Sequence, residues 1–288
     1  METRSGRKTM ELPSQNSSHS TTSSSLKNFT IPRKKREAGK GSIFFEPCPK
    51  ENREFSCIQS TLSESRLDMG KEVFLSWQSQ DVRLVHNEKL LREFSDKRSE
   101  MRSKGRHGRE MEERFCFLVT SEQAKASICQ NGLKTESTAQ HSLGNPSHGV
   151  YLYRHVDVAL RNAMRNSATP KNIIIFKVIL GKVKKLQCSL GKSSIQDPTI
   201  QFDSYVSKDT VDPKDPLSQQ ILGSSVFIFD YNENQELLPR PRQCLPYAVV
   251  LAVPISNTSS LATSYTPVPS SGMTPGIVCL NWSCPTHE

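Results

Sequence analysis

The chain has 288 residues, 35% of them hydrophobic, and a formal net charge of +9. That length fits one good-sized domain with tails or two small domains, and the low apolar share implies that part of it stays disordered. The positive balance favours acidic partners such as nucleic acid, although a basic import tail gives the same sum; no apolar run approaches a membrane span, and no membrane partner is expected.

Residues 1–69 read as a disordered leader. Ser17 to Ser25 is a Ser/Thr tract broken only by His19, and Arg33-Lys34-Lys35-Arg36 forms a compact basic run that resembles a nuclear-localisation signal. Met1 to Arg7 lacks the apolar core of a signal peptide. Ser42 to Pro47 is a small apolar island, read as a docking segment or as packing on the domain edge.

Order is expected from about residue 70. Glu72 to Trp77 and Val82 to Val85 read as two short strand pieces. A helix is predicted from Asn87 to Met101, with Leu90, Leu91, Phe94 and Met101 on one face and Glu88–Arg92 and Glu93–Lys97 as surface pairs. The basic residues Lys97, Arg98, Arg102, Lys104, Arg106 and Arg109 are candidate phosphate contacts. No aromatic residue interleaves with them to stack on bases, so they read first as a solvated connection.

Phe115 to Val119 has the apolar run of a buried strand. Thr120-Ser121-Glu122-Gln123 reads as a capping box with Thr120 as N-cap, and Gly132 ends the short helix that follows. Gly149-Val150-Tyr151-Leu152-Tyr153 is a strand after a Gly-Asn-Pro-Ser turn. Val156, Ala159, Leu160, Ala163 and Met164 then place an apolar stripe on a helix. Ile173 to Leu180 suits a central strand buried on both faces, and Gly181 ends it. Lys182, Lys184 and Lys185 follow, interleaved with Val183 and Leu186.

Residues 187–219 read as a long polar insertion in which Phe202 to Val206 is the one ordered piece. Ser225 to Asp230 and Tyr247 to Pro254 are further strands, and residues 256–288 are a disordered Ser/Thr/Pro-rich tail. The eight cysteines form no CxxC pair and read as reduced thiols of an intracellular protein. Cys279, Cys284 and His287 lack a fourth ligand, so no metal site is expected there. The fold class is α+β: one mixed domain over 70–255, with short helices at the edges of its sheets.

This order of elements resembles the catalytic domain of the poly(ADP-ribose) polymerases (PARPs). There a Gly-x-Tyr strand leads into a helix, and the next strand ends as Phe176-Lys177-Val178-Ile179-Leu180-Gly181-Lys182-Val183 does here. A closer resemblance is to the divergent branch formed by the transgene activation suppressor (TASOR) and testis-expressed protein 15. It is carried by Lys97-Arg98-Ser99-Glu100-Met101-Arg102, Lys104 to Glu110, Gly149 to Leu160, and Pro241-Arg242-Gln243-Cys244-Leu245-Pro246-Tyr247.

ADP-ribosyl transfer from NAD⁺ needs groups that grip the ribose, hold the nicotinamide amide and stabilise positive charge in the transition state. In the polymerase family a His grips the ribose, the following Gly approaches the amide, two Tyr rings pack on the nicotinamide, and a Glu orients the reacting ribose. Carried over, the His-Tyr-Glu positions fall on Leu118, Tyr151 and Ser225. The Gly position falls on Val119. The second Tyr falls on Asn162, and a Ser that precedes it on Ala159.

Losing one preorganised electrostatic group removes about 10²–10³ in rate. The resemblance therefore implies a pseudoenzyme without a catalytic residue or cofactor. Tyr151 reads as core, and His148, the one candidate replacement base, reads as a solvent-facing turn residue. The branch implies a protein-interaction module in nuclear gene or transposon silencing, linked to heterochromatin, germline and meiosis. Its partners would be chromatin or silencing-complex proteins. An active mono-ADP-ribosyltransferase and an RNA- or DNA-binding module are the alternatives.

Overall fold

The run Lys171–Ile179 forms strand β5, and its position explains its composition. It pairs antiparallel with β3 (Glu113–Thr120) on one side and β9 (Cys244–Pro254) on the other. Ile173, Ile174, Ile175 and Phe176 are all fully buried, because both faces of the strand are covered. The computed structural model describes residues 44–68, 77–137, 142–165, 171–187 and 195–254.

Around β5 the other strands are β1 (Phe44–Pro47), β2 (Trp77–His86) and β4 (Val150–Tyr153). The set is completed by β6 (Val183–Leu186), β7 (Ser204–Ser207) and β8 (Ser225–Ile228). They form one mixed sheet in the order β1-β2-β9-β5-β3-β4-β8-β7-β6. The β6–β7 ladder is parallel; the other ladders are antiparallel.

The helices are α1 (Arg53–Glu64), α2 (Glu88–Ser103), α3 (Glu122–Asn131), α4 (Val156–Met164) and α5 (Leu217–Ser224). Ile58 and Leu62 of α1 and Val156, Ala159, Leu160 and Met164 of α4 share a core with Phe117, Ile173, Ile175 and Val250. On the opposite face of β5, Ile128 and Cys129 of α3 join Cys116, Leu118, Ile174 and Phe176. Leu90, Phe94 and Met101 of α2 pack with Met111, Ile179 and Leu245. Alternation of side chains along β3 and β5 thus feeds two cores.

Several expectations need correction. The ordered fold begins well before residue 70. Phe44–Pro47 pairs with Arg83–His86, and α1 buries Ile58 and Leu62. The polar composition of α1 conceals a narrow stripe of Phe55, Ile58 and Leu62, capped by Asn52, whose side chain accepts from Glu54 N. The second strand piece belongs to a single strand, β2, irregular between Ser79 and Val82; Glu72 to Ser76 lies outside the described residues.

Thr120 does not cap α3. It extends β3 opposite Asn172, and Ser121 is the cap, accepting from Ala124 N. Leu91 is 45% exposed and does not share the buried face of α2. The insertion holds a helix that its polar run-up concealed: α5 starts after Pro216 and places Leu217 and Ile221 against the core. Arg33 to Arg36, Cys188, Cys279, Cys284 and His287 lie outside the described residues. Among the described residues no helix is long and apolar enough to cross a membrane.

Candidate functional site

Strand β4 sets the geometry at the centre of the resemblance. Tyr153 stands opposite both Phe117 of β3 and Ser225 of β8, and Tyr151 stands opposite Phe227. Tyr151 is fully buried, with its ring centroid 5.0 Å from that of Phe227. Its hydroxyl accepts from Leu143 N at 2.9 Å and Gly144 N at 2.7 Å and donates to Gly144 O at 2.6 Å. Burial raises the Tyr151 pKa, although these hydrogen bonds act the other way. A buried hydroxyl bonded in this way anchors a turn.

Glycine is required on the turn that closes over Tyr151. A Cβ on Gly144 would penetrate the Phe227 ring, and one on Gly149 would meet Ile228 O and Phe227 Cζ at 2.6 Å each. Phe227, Phe229 and Tyr205 fill the space beside Tyr151, with Leu143 and Leu186 completing the cluster. Centroid separations of 4.9 Å for Tyr205–Phe229 and 5.8 Å for Phe227–Phe229 are those of packed aromatic neighbours.

The other carried-over positions are occupied by packing residues. Leu118 belongs to the α3-side core, on the opposite face of β3 from Phe117 and Val119. Ser225 is fully buried and donates to Ile221 O at 2.6 Å. Val119 and Ala159 lie in the α4-side core, and Asn162 donates to the Tyr153 hydroxyl at 2.9 Å. Leu118 therefore lies on the opposite face of the sheet from Tyr151, while Ser225, in register with Tyr153, lies on the Tyr151 face two residues along. His148 is a surface residue whose Nδ1 lies 3.2 Å from Asp197 Oδ1.

Sequence reasoning missed a buried ionic cluster on the β8 side. Asp230 follows β8 and is 1% exposed. Its carboxylate contacts Lys97 Nζ at 2.6 Å and Arg242 Nε at 2.8 Å, and accepts from Arg242 N at 3.1 Å. Glu100 completes the group, within 3.0 Å of Lys97, 2.8 Å of Arg242 and 2.7 Å of Lys104. Burial acts to raise the Glu100 pKa, but hydrogen bonds from Lys104 and Lys97 and the charge of Arg242 outweigh it, lowering it to about 2. The available signal was a charge directly after an apolar run, Asp230, with a basic pair, Arg240 and Arg242, a short way downstream.

This cluster changes the reading of the basic stretch. Lys97 is 4% exposed and is bound to carboxylates, so it is not a free phosphate contact. Neither surface pair on α2 takes the expected form: Glu93 joins Arg240, and Lys97 joins Asp230 and Glu100. Arg98 pairs with Glu113, Lys104 with Glu100, and Arg106 with Asp203. Arg102 and Arg109 are exposed. Among the described residues, no group of three or more His, Cys, Asp or Glu is placed to hold a metal ion.

A nine-stranded mixed sheet with short helices on its faces, and a Gly-x-Tyr strand leading into a helix at its centre, defines a PARP-like ADP-ribosyltransferase fold. The crystal structure of the TASOR pseudo-PARP domain matches it at a TM-score of 0.65 and 30% identity, covering 74% of this chain and 99% of that one. The family model described as "Protein of unknown function (DUF3715)" matches residues 100–246, and the chain belongs to that family. Protein TASOR of Homo sapiens is 32% identical over 232 residues, 78% of this chain. Protein TASOR of Xenopus laevis is 31% identical over 255 residues, 85% of this chain. The chain spans only 14% and 16% of the length of those two relatives. The expected membership of the TASOR branch and the α+β PARP-like fold both hold.

Proposed function

We propose that this chain is a catalytically inactive pseudo-PARP module that acts by holding other proteins in nuclear gene or transposon silencing. The observation that supports inactivity most strongly is the packing at Tyr151. Where the resemblance expects a ring that receives nicotinamide, Phe227 lies against the tyrosine, and Leu143 and Gly144 hold its hydroxyl. Leu118 supplies no hydrogen-bonding group to grip a ribose. The Ser225 hydroxyl is turned to a backbone carbonyl and carries no charge to stabilise an oxocarbenium-like transition state.

Removing one such electrostatic group costs about 3–4 kcal/mol of transition-state stabilisation, and two are absent together. What then remains useful is a rigid scaffold with a large surface. Likeness to a solved domain described as the TASOR pseudo-PARP domain supports the inactive reading. Germline and meiotic silencing are the settings that the resemblance implies, with chromatin or silencing-complex proteins as partners.

The test is to tether the full chain upstream of a chromosomal reporter in vertebrate nuclei. Repression by the native chain, retained when NAD⁺ synthesis is inhibited, is the expected result. A reporter that the tethered chain leaves unchanged would argue against the silencing role, and repression that disappears with NAD⁺ would argue against an inactive module.

A further inference from the structure

Two basic stretches far apart in sequence meet at one edge of the sheet. Gly181, at φ +61°, ends the β5 run beside the last turn of α2. A Cβ there would lie 2.5 Å from Met101 Cε and 2.5 Å from Asp203 Cβ. Gly181 N donates to Glu110 O at 3.2 Å. Asp203 accepts from Arg106 Nε at 2.8 Å and from Lys182 N at 2.8 Å, and Arg106 reaches on to Gln201 O at 3.2 Å. The 102–110 segment, the start of β6 and residues 200–203 therefore form one continuous surface.

The charge of that surface is positive. Asp203 is taken up by Arg106. Arg102, Arg109, Lys182 and Lys185 are exposed, and none is in an ion pair among the described residues. Glu110 is the half-buried acidic neighbour. The sequence alone offered these cations no aromatic companion; the fold supplies one. Lys182 Nζ lies 5.4 Å and Lys184 Nζ 5.7 Å from the centroid of the half-buried Phe202 ring, and Ile200 beside it is 57% exposed.

We infer that this edge binds single-stranded nucleic acid, with phosphates along Arg102, Arg109, Lys182 and Lys185 and an unstacked base against Phe202 and Ile200. A row of cations beside an aromatic platform is the chemistry that such strands require, since every base has a π-face and every nucleotide a charge. A duplex hides its base faces and would use only the cations. A polyacidic peptide would meet the cations but has no flat base to lay against Phe202 and Ile200, so it would use only part of this surface. The inference is independent of the silencing role and of catalytic inactivity.

Fluorescence anisotropy of a labelled single-stranded RNA, titrated with the full chain over a salt series, tests it. The fourfold variant Arg102→Gln/Arg109→Gln/Lys182→Gln/Lys185→Gln should bind more weakly and show a flatter log K against log salt slope, by about 0.7 for each phosphate that is no longer neutralised. Phe202→Leu, which keeps the volume of the site but removes the ring, should weaken binding by about 5- to 150-fold, the fold-change expected when one base stack is removed. The variant Arg33→Gln/Lys34→Gln/Lys35→Gln/Arg36→Gln separates this edge from the basic leader. Unchanged affinity in both edge variants, with native thermal unfolding, overturns the inference. So does a loss confined to the leader variant, or equal binding of duplex RNA or of polyglutamate.

Discussion

Tyr151 and Phe227 face each other across the β4–β8 ladder, with their ring centroids 5.0 Å apart. The contact is held from the other side by the Leu143–Gly144 turn, which donates two backbone N–H groups to the tyrosine hydroxyl. Tyr151→Phe removes that acceptor and leaves both donors buried without it. The expected loss is about 1–3 kcal/mol of folding stability, read from urea unfolding. A variant as stable as the native chain would mean that the hydroxyl network contributes nothing.

Gly144 presses on the same Phe227 ring. Gly144→Ala drives a methyl group into Phe227 and should cost about 1–3 kcal/mol through overpacking. In Gly144→Ala/Phe227→Leu the smaller side chain makes room, so the double variant should be more stable than the sum of the single losses. Strict additivity would show that the two residues do not press on each other.

The Asp230 cluster is a buried ionic group, and such groups are sensitive to losing one member. Asp230→Asn leaves Lys97 and Arg242 beside a neutral amide and should destabilise the fold by about 3–5 kcal/mol. Arg102→Gln, one helical turn beyond and exposed, should change stability by no more than about 0.5 kcal/mol. Denaturant midpoints for the two variants decide the point, and similar losses in both would dissolve the distinction.

His155 precedes α4 with its ring largely enclosed. Burial lowers its pKa from 6.5 to about 4; the Arg154 charge adds to this, and Asp157 opposes it. The folded protein therefore keeps the imidazole neutral where the unfolded chain has bound a proton. Stability is full above pH 6.5 and declines as pH falls from 6.5 towards 4. Glu100 acts in a separate, lower window: with its pKa lowered from 4.5 to about 2, its contribution is present above pH 4.5 and is lost between those values. In His155→Gln the thermal midpoint should stay flat across the upper window while the lower one is unchanged. A persistent decline between pH 6.5 and 4 would assign that titration to another group.

What the sequence made legible was the part written in local pattern. Ile173 to Ile179, the Gly149–Tyr153 strand and the stripe on α4 each carry their structure in period and composition. What stayed hidden depended on partners distant in the chain. α1 is too polar on average to announce itself, and its few apolar residues matter because they meet the α4-side core. Thr120 was a plausible cap, but pairing with Asn172 on β5 drew it into the sheet and passed the role to Ser121. Lys97 has the spacing of a surface residue on an exposed helix. Only the fold brings Asp230 to it. Phe202 likewise lies far from the lysines that it accompanies in space.

The claim that the site is closed to cofactor is tested most directly by isothermal titration of NAD⁺ into the full chain, paired with transfer from labelled NAD⁺. No heat of binding and no transferred label are predicted, since Phe227 and the Leu143–Gly144 turn occupy the surroundings of Tyr151. Saturable binding accompanied by transfer of labelled ADP-ribose would contradict the account and require another residue to do the work of the missing His and Glu.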